Sequence, residues 1–361
     1  MSSVCRAPFD PAAPGAARDP ELRAWVGVQL ELAWLPERAV ETLREVGDPA
    51  ALLRRLRPAF RIDAPRVDHA LSALAEANAR LLPYSCAAYP WRLSQLRDPA
   101  PVLSVVGAWS ALSAPGVAIV GARAATAYGR AVARRLAADL ARAGLVIVSG
   151  LAYGIDAAAH EGALEAGGST IAVQACGADQ VYPRRHRDLA ARIARQGALV
   201  SELPPGAAPR RAHFPLRNRL ISGMACALVV VEARERSGSL VTARHALDQG
   251  IDVFAVPGPI TAPTSIGTNR LLRDGAQPLL GADDLLDALG LDPVRASPCR
   301  VAPLAPHLQR IVRALERGPL ARDELARALG CTPAVLAPDL LELELEGRVQ
   351  LDRDGRLRGV P

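Results

Sequence analysis

Arginine, glycine and small hydroxyl side chains recur together in five short stretches of this sequence, and their shared chemistry is the recognition of anions. Residues 121–129 place Arg123 just beyond Gly121, in a turn whose backbone amides lead into a helix. Residues 149–160 hold Ser149, Gly150, Gly154 and Asp156, the residue types of a tight turn into a helix, with His160 one helical turn further on. Residues 176–186 carry Tyr182 and Pro183 followed by Arg184 and Arg185. Residues 204–219 are the richest. Here Arg210, Arg211, Arg217 and Arg219 surround His213 and Phe214, with Asn218 between the last two arginines. Guanidinium forks suit phosphates and a ring offers its face to a base, a contact worth about 1–3 kcal/mol per base on single strands. Residues 236–242 read RSGSLVT, where Ser237, Gly238 and Ser239 open a helix and can present amides to a phosphate.

These stretches contain little that could make or break a bond. Asp156, Asp179, Glu202 and Glu232 stand singly, each accounted for by a helix cap or an arginine partner, and His160 reads as a packing residue rather than a catalyst. The turn G-A-R-A-A-T-A-Y-G departs from G-x-G-x-x-G, and no acidic residue closes the next strand to hold a ribose, which argues against a dinucleotide. Six cysteines (Cys5, Cys86, Cys176, Cys226, Cys299, Cys331) show no C-x-x-C spacing and no neighbouring histidine pair, so neither zinc nor a disulfide framework is expected. No catalytic residue, metal or cofactor is therefore expected: a site rich in donors and poor in acid/base groups binds rather than reacts. All 43 basic residues are arginine and the net charge is +6, a surface suited to bidentate phosphate contacts. Half of the residues are apolar, yet no run approaches the roughly 18 of a membrane span and the start lacks a signal-peptide pattern. A soluble cytoplasmic protein, with no membrane partner, is the expectation.

The elements that must hold these loops follow a βαβ rhythm. Residues 117–120 are an unbroken apolar run, as a strand covered on both faces requires, and Gly121 ends it. From residue 130 the apolar period is helical, with Val132, Leu136 and Leu140 on one stripe and Gly144 as the stop before a second apolar run at 145–148. The alternation continues with a helix over 157–166 capped by Asp156, a strand over 170–174 and a helix marked by Leu189 and Ile193. It then gives a strand over 198–203, a helix over 216–225, a strand over 227–231, a helix over 240–248 and a strand over 252–256. The fold class is α/β, a Rossmann-like, doubly wound, mostly parallel sheet, and all five stretches leave strand carboxyl ends, where ligands of such sheets bind.

Residues 1–20, rich in proline and alanine, are expected to be disordered, and residues 21–82 to form an all-α domain broken at Pro36 and Gly47, with a last helix over 67–81. Residues 83–290 make the α/β domain, entered by a strand within 99–106. Residues 291–306 are a proline-dense linker. Residues 307–361 give helix, helix, helix and hairpin, the order of a winged helix.

The runs VAIVGARAATAYG, VSGLAYGIDAAAH, YPRRH, FPLRNRLISG, VEARERSGSLVTA and DVFAVPG, in that order over about residues 89–281, resemble the DNA-processing protein A (DprA, or Smf) family. The resemblance implies an extended Rossmann-like domain that binds and protects single-stranded DNA without sequence preference. It also implies a homodimer that loads RecA recombinase onto incoming DNA in natural transformation, with single-stranded DNA-binding protein as a further partner, a SAM-like helical N-terminal domain and no enzyme activity. Carried over by position, the family's DNA pocket falls on Gly121, Arg123, Arg184, Arg211, Phe214, Arg217, Asn218 and Arg219, beside Ser237, Gly238 and Ser239, with Ser149 and Gly150 of the second stretch. Gln174-Ala175 and Ile251 depart from the family pattern. The alternative is a nucleotide-processing enzyme of the lysine decarboxylase-like phosphoribohydrolase fold, whose P-G-G-x-G-T-x-x-E loop is here RSGSLVT without the glutamate. A winged-helix regulator with a ligand-sensing domain is a third reading.

Two further expectations concern contacts with protein. The helices over 240–247 and 285–289 have apolar residues to spare, in keeping with a homodimer. In the winged helix, residues 332–347 hold Asp339, Glu342, Glu344 and Glu346 and no basic residue, which would repel a phosphate backbone, so this domain is expected to contact protein rather than DNA. Pro338 should kink or divide that stretch. Val335, Leu336, Leu340 and Leu343 with Leu325 and Leu329 should fill its core.

Overall fold

Proline in the first helical turn costs no hydrogen bond and presets φ, and the chain uses it four times in succession. The helices α1 (Pro20–Leu32), α2 (Pro36–Val46), α3 (Pro49–Leu56) and α4 (Pro65–Glu76) all begin this way. Asp19 caps α1 by accepting the Glu21 and Leu22 amides, Gly47 ends α2 at φ 68°, and Asp48 caps α3 through the Ala51 amide. The computed structural model describes residues 8–291, 306–315, 318–345, 349–351 and 356–359.

A nine-stranded sheet follows: β1 (Ala79–Pro83), β2 (Val102–Gly107), β3 (Gly116–Val120), β4 (Val146–Ser149), β5 (Thr170–Val173), β6 (Ala198–Ser201), β7 (Ala227–Val230), β8 (Asp252–Ala255) and β9 (Gln277–Pro278). Their order across the sheet is β1-β2-β6-β5-β4-β3-β7-β8-β9, antiparallel at β1/β2 and β2/β6 and parallel elsewhere. The helices between strands are α5 (Trp91–Ser94), α6 (Ala127–Arg142), α7 (Ile155–Glu165), α8 (Arg187–Gln196), α9 (His213–Gly223), α10 (Gly238–Asp248), α11 (Ile266–Arg273) and α12 (Ala282–Ala288). Alternate residues of the central strands feed opposite cores. Val117, Ile119, Ile147 and Val229 pack with α6 and α7, whereas Ala118, Val120, Val148 and Val230 pack with α9 and α10. Both faces are covered, which is why these strands read as continuous apolar runs. The chain moves outward from β3 through β4, β5 and β6 and then returns to β7 on β3's other side, so the switch point, where ligands of open sheets bind, lies between β3 and β7.

Several expectations are corrected. The helix expected over 67–81 stops at Glu76; Asn78 takes the left-handed conformation at φ 50°, and residues 79–83 become β1, paired with β2 from Ala79 to Val106. Residues 8–20 are ordered, because β1 lies at the sheet's edge and its backbone groups are open to a partner. Phe9 N–H donates to Leu81 O at 2.8 Å, Leu81 N–H donates to Phe9 O at 2.9 Å, and Ala16 is buried. Residues 1–7 lie outside the described residues, as does nearly all of the linker expected over 291–306. The helical segment is also not separate from the sheet. Trp25, Leu32, Leu52 and Leu74 share one core with Leu81, Val102 and Ala178, and buried Gln29 donates to Ser104 Oγ at 2.8 Å. The chain divides instead into two compact units, one up to residue 297 and one from 298. Asp156 does not cap α7, which starts one residue earlier behind Gly154 at φ 80°. Among the described residues no helix is long and apolar enough to cross a membrane.

The second unit has α13 (Pro306–Leu315), α14 (Arg322–Leu329), α15 (Pro333–Leu345) and an antiparallel hairpin of β10 (Val349–Leu351) and β11 (Leu357–Gly359). It is a winged helix. Leu308, Ile311, Leu325, Leu336, Leu340, Leu343, Val349 and Leu357 form its core, but Val335, expected there, is 64 % exposed. Pro338 sits inside a single α15 and does not divide it, since its missing N–H removes one hydrogen bond from a helix that the leucine face already anchors. Asp339 lies 3.8 Å from His307 Nε2; the side chains of Glu342, Glu344 and Glu346 fall outside the described residues.

Candidate nucleic-acid interface

The first loop follows β3. A side chain at Gly121 would meet Ile155 and the Glu232 backbone, so only glycine lets β3 turn here. Thr126 caps α6, its Oγ1 accepting the Gly129 amide at 3.0 Å. The same hydroxyl donates to Glu232 Oε1 at 2.5 Å, and the Thr126 amide donates to Glu232 Oε2 at 2.9 Å. Glu232, buried just after β7, therefore ties the loops on the two sides of the switch point together. Sequence reasoning left Glu232 as a lone carboxylate, because its partner is a backbone amide 106 residues away.

The second loop forms a floor beneath that turn. Ser149 is fully buried and its Oγ donates to Ile119 O at 2.6 Å. Asp156 Oδ2 accepts the Gly150 and Ala152 amides at 3.1 and 3.3 Å. Burial raises the Asp156 carboxyl above its ordinary range, opposed by the Arg217 guanidinium and these two amides. Arg217 is 4 % exposed and donates to Gly150 O at 2.7 Å, to Val173 O and to Asn218 Oδ1. Burial pulls its pKa down to about 10, with Asp156 acting the other way, so it stays charged at neutral pH. Arg219 is 2 % exposed, paired with buried Glu202 and 3.2 Å from Asp98. Ser149, Gly150, Arg217 and Arg219, all expected at the ligand, are thus buried against partners within the fold, and of the four only Arg217 lines the cavity described next. An exposed arginine such as Arg211, just before α9, and the buried ones within it look alike in sequence.

Above this floor lies a cavity of about 580 Å³, bounded by Gly121, Arg123, Arg211, Phe214, Asn218 and the first turn of α10, among others. Arg123 stacks over the Phe214 ring, 4.8 Å from its centroid, and Tyr182 meets the same ring edge-on at 5.9 Å. Arg123, Arg211, Arg234 and Arg236 are exposed on the cavity wall, and none of the four forms an ion pair among the described residues. Arg234 went unnoticed in the sequence because V-E-A-R-E-R alternates its charges. At α10, Ser237 Oγ accepts the Ser239 amide at 3.4 Å and lies 2.7 Å from Ser239 Oγ, while Gly238 is exposed with open space where a Cβ would project. Asn218 Nδ2 donates to Gly238 O at 3.4 Å, joining α9 to α10. The positive end of the α10 dipole thus adds to four unpaired guanidinium groups. Arg184 is exposed in a short 3-10 turn and does not line the cavity; its loop reaches the site through Tyr182.

Two ionisable groups near the site are buried and held in their neutral forms. His160 is buried, its Nδ1–H donating to Thr170 Oγ1 at 2.7 Å while that hydroxyl donates to Ile147 O, and Nε2 has no partner. Burial pulls its pKa down to about 3, helped by the charges of His186 and Arg217. Burial likewise pushes the Cys176 thiol up to about 11. Among the described residues no three His, Cys, Asp or Glu side chains gather where a metal could sit.

A doubly wound sheet with exposed arginines around a stacked ring at its switch point, and a winged helix in the same chain, define a Rossmann-type protein with a winged-helix domain. Residues 80–290 match the family model described as DNA recombination-mediator protein A, and residues 295–355 match that of the DprA winged helix domain. The chain belongs to this DprA/Smf family. It is 42 % identical to the DNA processing protein DprA of Bacillus subtilis over 226 residues, 62 % of this chain and 76 % of that one. It is 45 % identical to a putative DprA of Mycobacterium tuberculosis over 247 residues, 67 % of this chain and 63 % of that one. The solved DprA of Streptococcus pneumoniae superposes with a TM-score of 0.64 at 35 % identity, covering 73 % of this chain and 97 % of that one. DNA processing protein A of Helicobacter pylori, whose structure concerns a single-stranded DNA binding mode, gives a TM-score of 0.52 at 34 % identity over 55 % of this chain and 92 % of that one.

Proposed function

We propose that this protein binds single-stranded DNA without sequence preference, as a homodimer, and delivers the strand to RecA recombinase during uptake and recombination of DNA, protecting it meanwhile. The observation that carries the reading is Arg123 stacked on a half-buried Phe214 amid Arg211, Arg234 and Arg236, none of them ion-paired among the described residues. Fork donors beside a ring take phosphates and a base together, and every base has a face to stack, so the affinity is blind to sequence. Membership of a DNA recombination-mediator family and the single-stranded DNA binding mode of the Helicobacter pylori protein support it. The site residues in this reading are Gly121, Arg123, Arg211, Phe214, Asn218 and Ser237 to Ser239, with Arg184 beyond the cavity on the strand's path. The carboxyl that lines the cavity, Asp156, is engaged by the Gly150 and Ala152 amides, which favours binding over catalysis. The winged-helix unit contacts protein in this reading, and the RecA contact and the dimer rest on family membership alone.

The test is the affinity of the purified chain for oligo-dT against duplex DNA of the same length. Tight, salt-sensitive binding of the single strand and much weaker duplex binding are expected; equal affinity for both would sink the reading. Phe214→Ala should weaken the single strand by about 1–3 kcal/mol with little change in salt slope, because it removes stacking and no charge.

A further inference from the structure

The aromatic wall does not end at Phe214. Its neighbour His213, the first residue of α9, carries the Trp34 indole against its ring, with centroids 4.9 Å apart and planes tilted by 38°. Trp34 comes from the turn between α1 and α2. It is 42 % exposed, with Leu35 exposed beside it, whereas Trp25 of α1 is buried in the core. Trp34 with His213 and Tyr182 with Phe214 thus form two ring pairs that meet on consecutive residues of α9, drawn from three segments far apart in sequence.

The helical segment that carries Trp34 is tied to the loop before α9. The core of the helical segment takes in Ala178, from the loop after β5. That loop grips the one before α9: Gly177 N–H donates to Ala207 O at 2.9 Å and Gly206 N–H to Asp179 Oδ1 at 3.0 Å. Arg38, four residues after Trp34, and Arg210, three before His213, are exposed and form no ion pair among the described residues. An exposed indole packed on the residue before Phe214, with exposed guanidinium groups near it in the sequence, offers a second aromatic face on another segment.

We infer that Trp34 is an additional base-stacking subsite, so that the N-terminal helical segment forms part of the nucleic-acid face and a single strand passing Phe214 lays a further base on the indole. The inference rests on the reading of the cavity as a single-strand site. Stacking on a large ring tolerates any base, so the subsite adds length to the footprint without adding sequence preference.

The experiment measures affinity of the full chain for oligo-dT of graded length, comparing the parent with Trp34→Ala and Trp34→Phe. Trp34→Ala is expected to weaken the longer strands by roughly 5- to 150-fold, the equivalent of about 1–3 kcal/mol for one stacked base. It should leave the shortest strand that still binds the parent unchanged. Trp34→Phe should recover most of the loss, yet reduce the quenching of tryptophan emission that the strand causes in the parent. Equal affinity of Trp34→Ala and parent at every length overturns the subsite and leaves the cavity reading standing. An equal loss at every length also overturns it, because Trp34 would then be a prop for the loop before α9. A parent that binds no oligo-dT overturns the cavity reading and the subsite together.

Discussion

The rim and the floor of the cavity are built from the same residue type and do opposite work. On the rim, Arg123, Arg211, Arg234 and Arg236 are exposed and without ion-pair partners among the described residues; on the floor, Arg217 and Arg219 are all but buried, Arg217 donating to backbone carbonyls and Arg219 paired with the Glu202 carboxylate. Two helical positions decide the difference in α9, since Phe214 and Pro215 face the opening while Arg217 and Arg219 fall beneath it. The lesson is that a cation's role follows from whether the fold supplies its counter-charge. A floor arginine fixes geometry, and a rim arginine leaves its charge for a ligand.

The largest effect should come from the floor. Arg219→Ala strands the buried Glu202 carboxylate, and urea unfolding should show a loss of about 3–5 kcal/mol, the usual result of removing one partner of a buried pair. A loss below about 1 kcal/mol would mean that Arg219 belongs with the rim. Next is pH. His160 takes a proton at about 3 when folded but near its ordinary 6.5 when unfolded, so its contribution is complete above 6.5 and is lost as pH falls toward 3. The stability gap between parent and His160→Gln should therefore change by about 1.4 kcal/mol per pH unit below 6.5. A gap independent of pH between 7 and 5 would show that the imidazole is not buried neutral.

The rim should respond in affinity and not in stability. Arg123→Ala and Arg211→Ala should unfold at the parent's urea midpoint, weaken single-strand binding for all sequences alike and lower the salt slope by about 0.7 each, one phosphate contact apiece. Unchanged binding at low and high salt would remove them from the interface. The smallest effect is expected from the second unit. A chain ended at Pro298 should keep its single-strand affinity within tenfold, and a greater loss from a folded, dimeric product would show that the winged helix touches DNA.

Much of this was legible in advance. The βαβ rhythm of residues 117–256 and the winged-helix order are periodicity signals, and periodicity survives in sequence because both faces of the sheet and one face of each helix must be buried. That Arg123, Phe214 and Ser237 to Ser239 come together at one sheet edge was readable from the same strand-then-loop pattern. What could not be read depends on partners far along the chain. Glu232 finds Thr126, Arg219 finds Glu202 and Asp98, and Phe9 finds Leu81, none of which has a local signature. The apolar residues expected to spare on α12 are likewise taken up, for Leu285 and Leu286 are buried against the sheet, whereas Val241 and Leu247 of α10 do remain exposed. Those two are the better candidates for contact with a second copy.

The ends of the sheet have one more consequence. At one side Phe9 occupies the backbone groups of Leu81 in the outermost strand; at the other, β9 is two residues long and finishes on Pro278, which has no N–H to offer. Neither margin can template a further strand, so crowding many copies along one polymer carries little risk of fusing them into continuous β-structure. A second copy is therefore expected to dock through side chains rather than by extending the sheet, so that surface substitutions can weaken the junction without unravelling the fold.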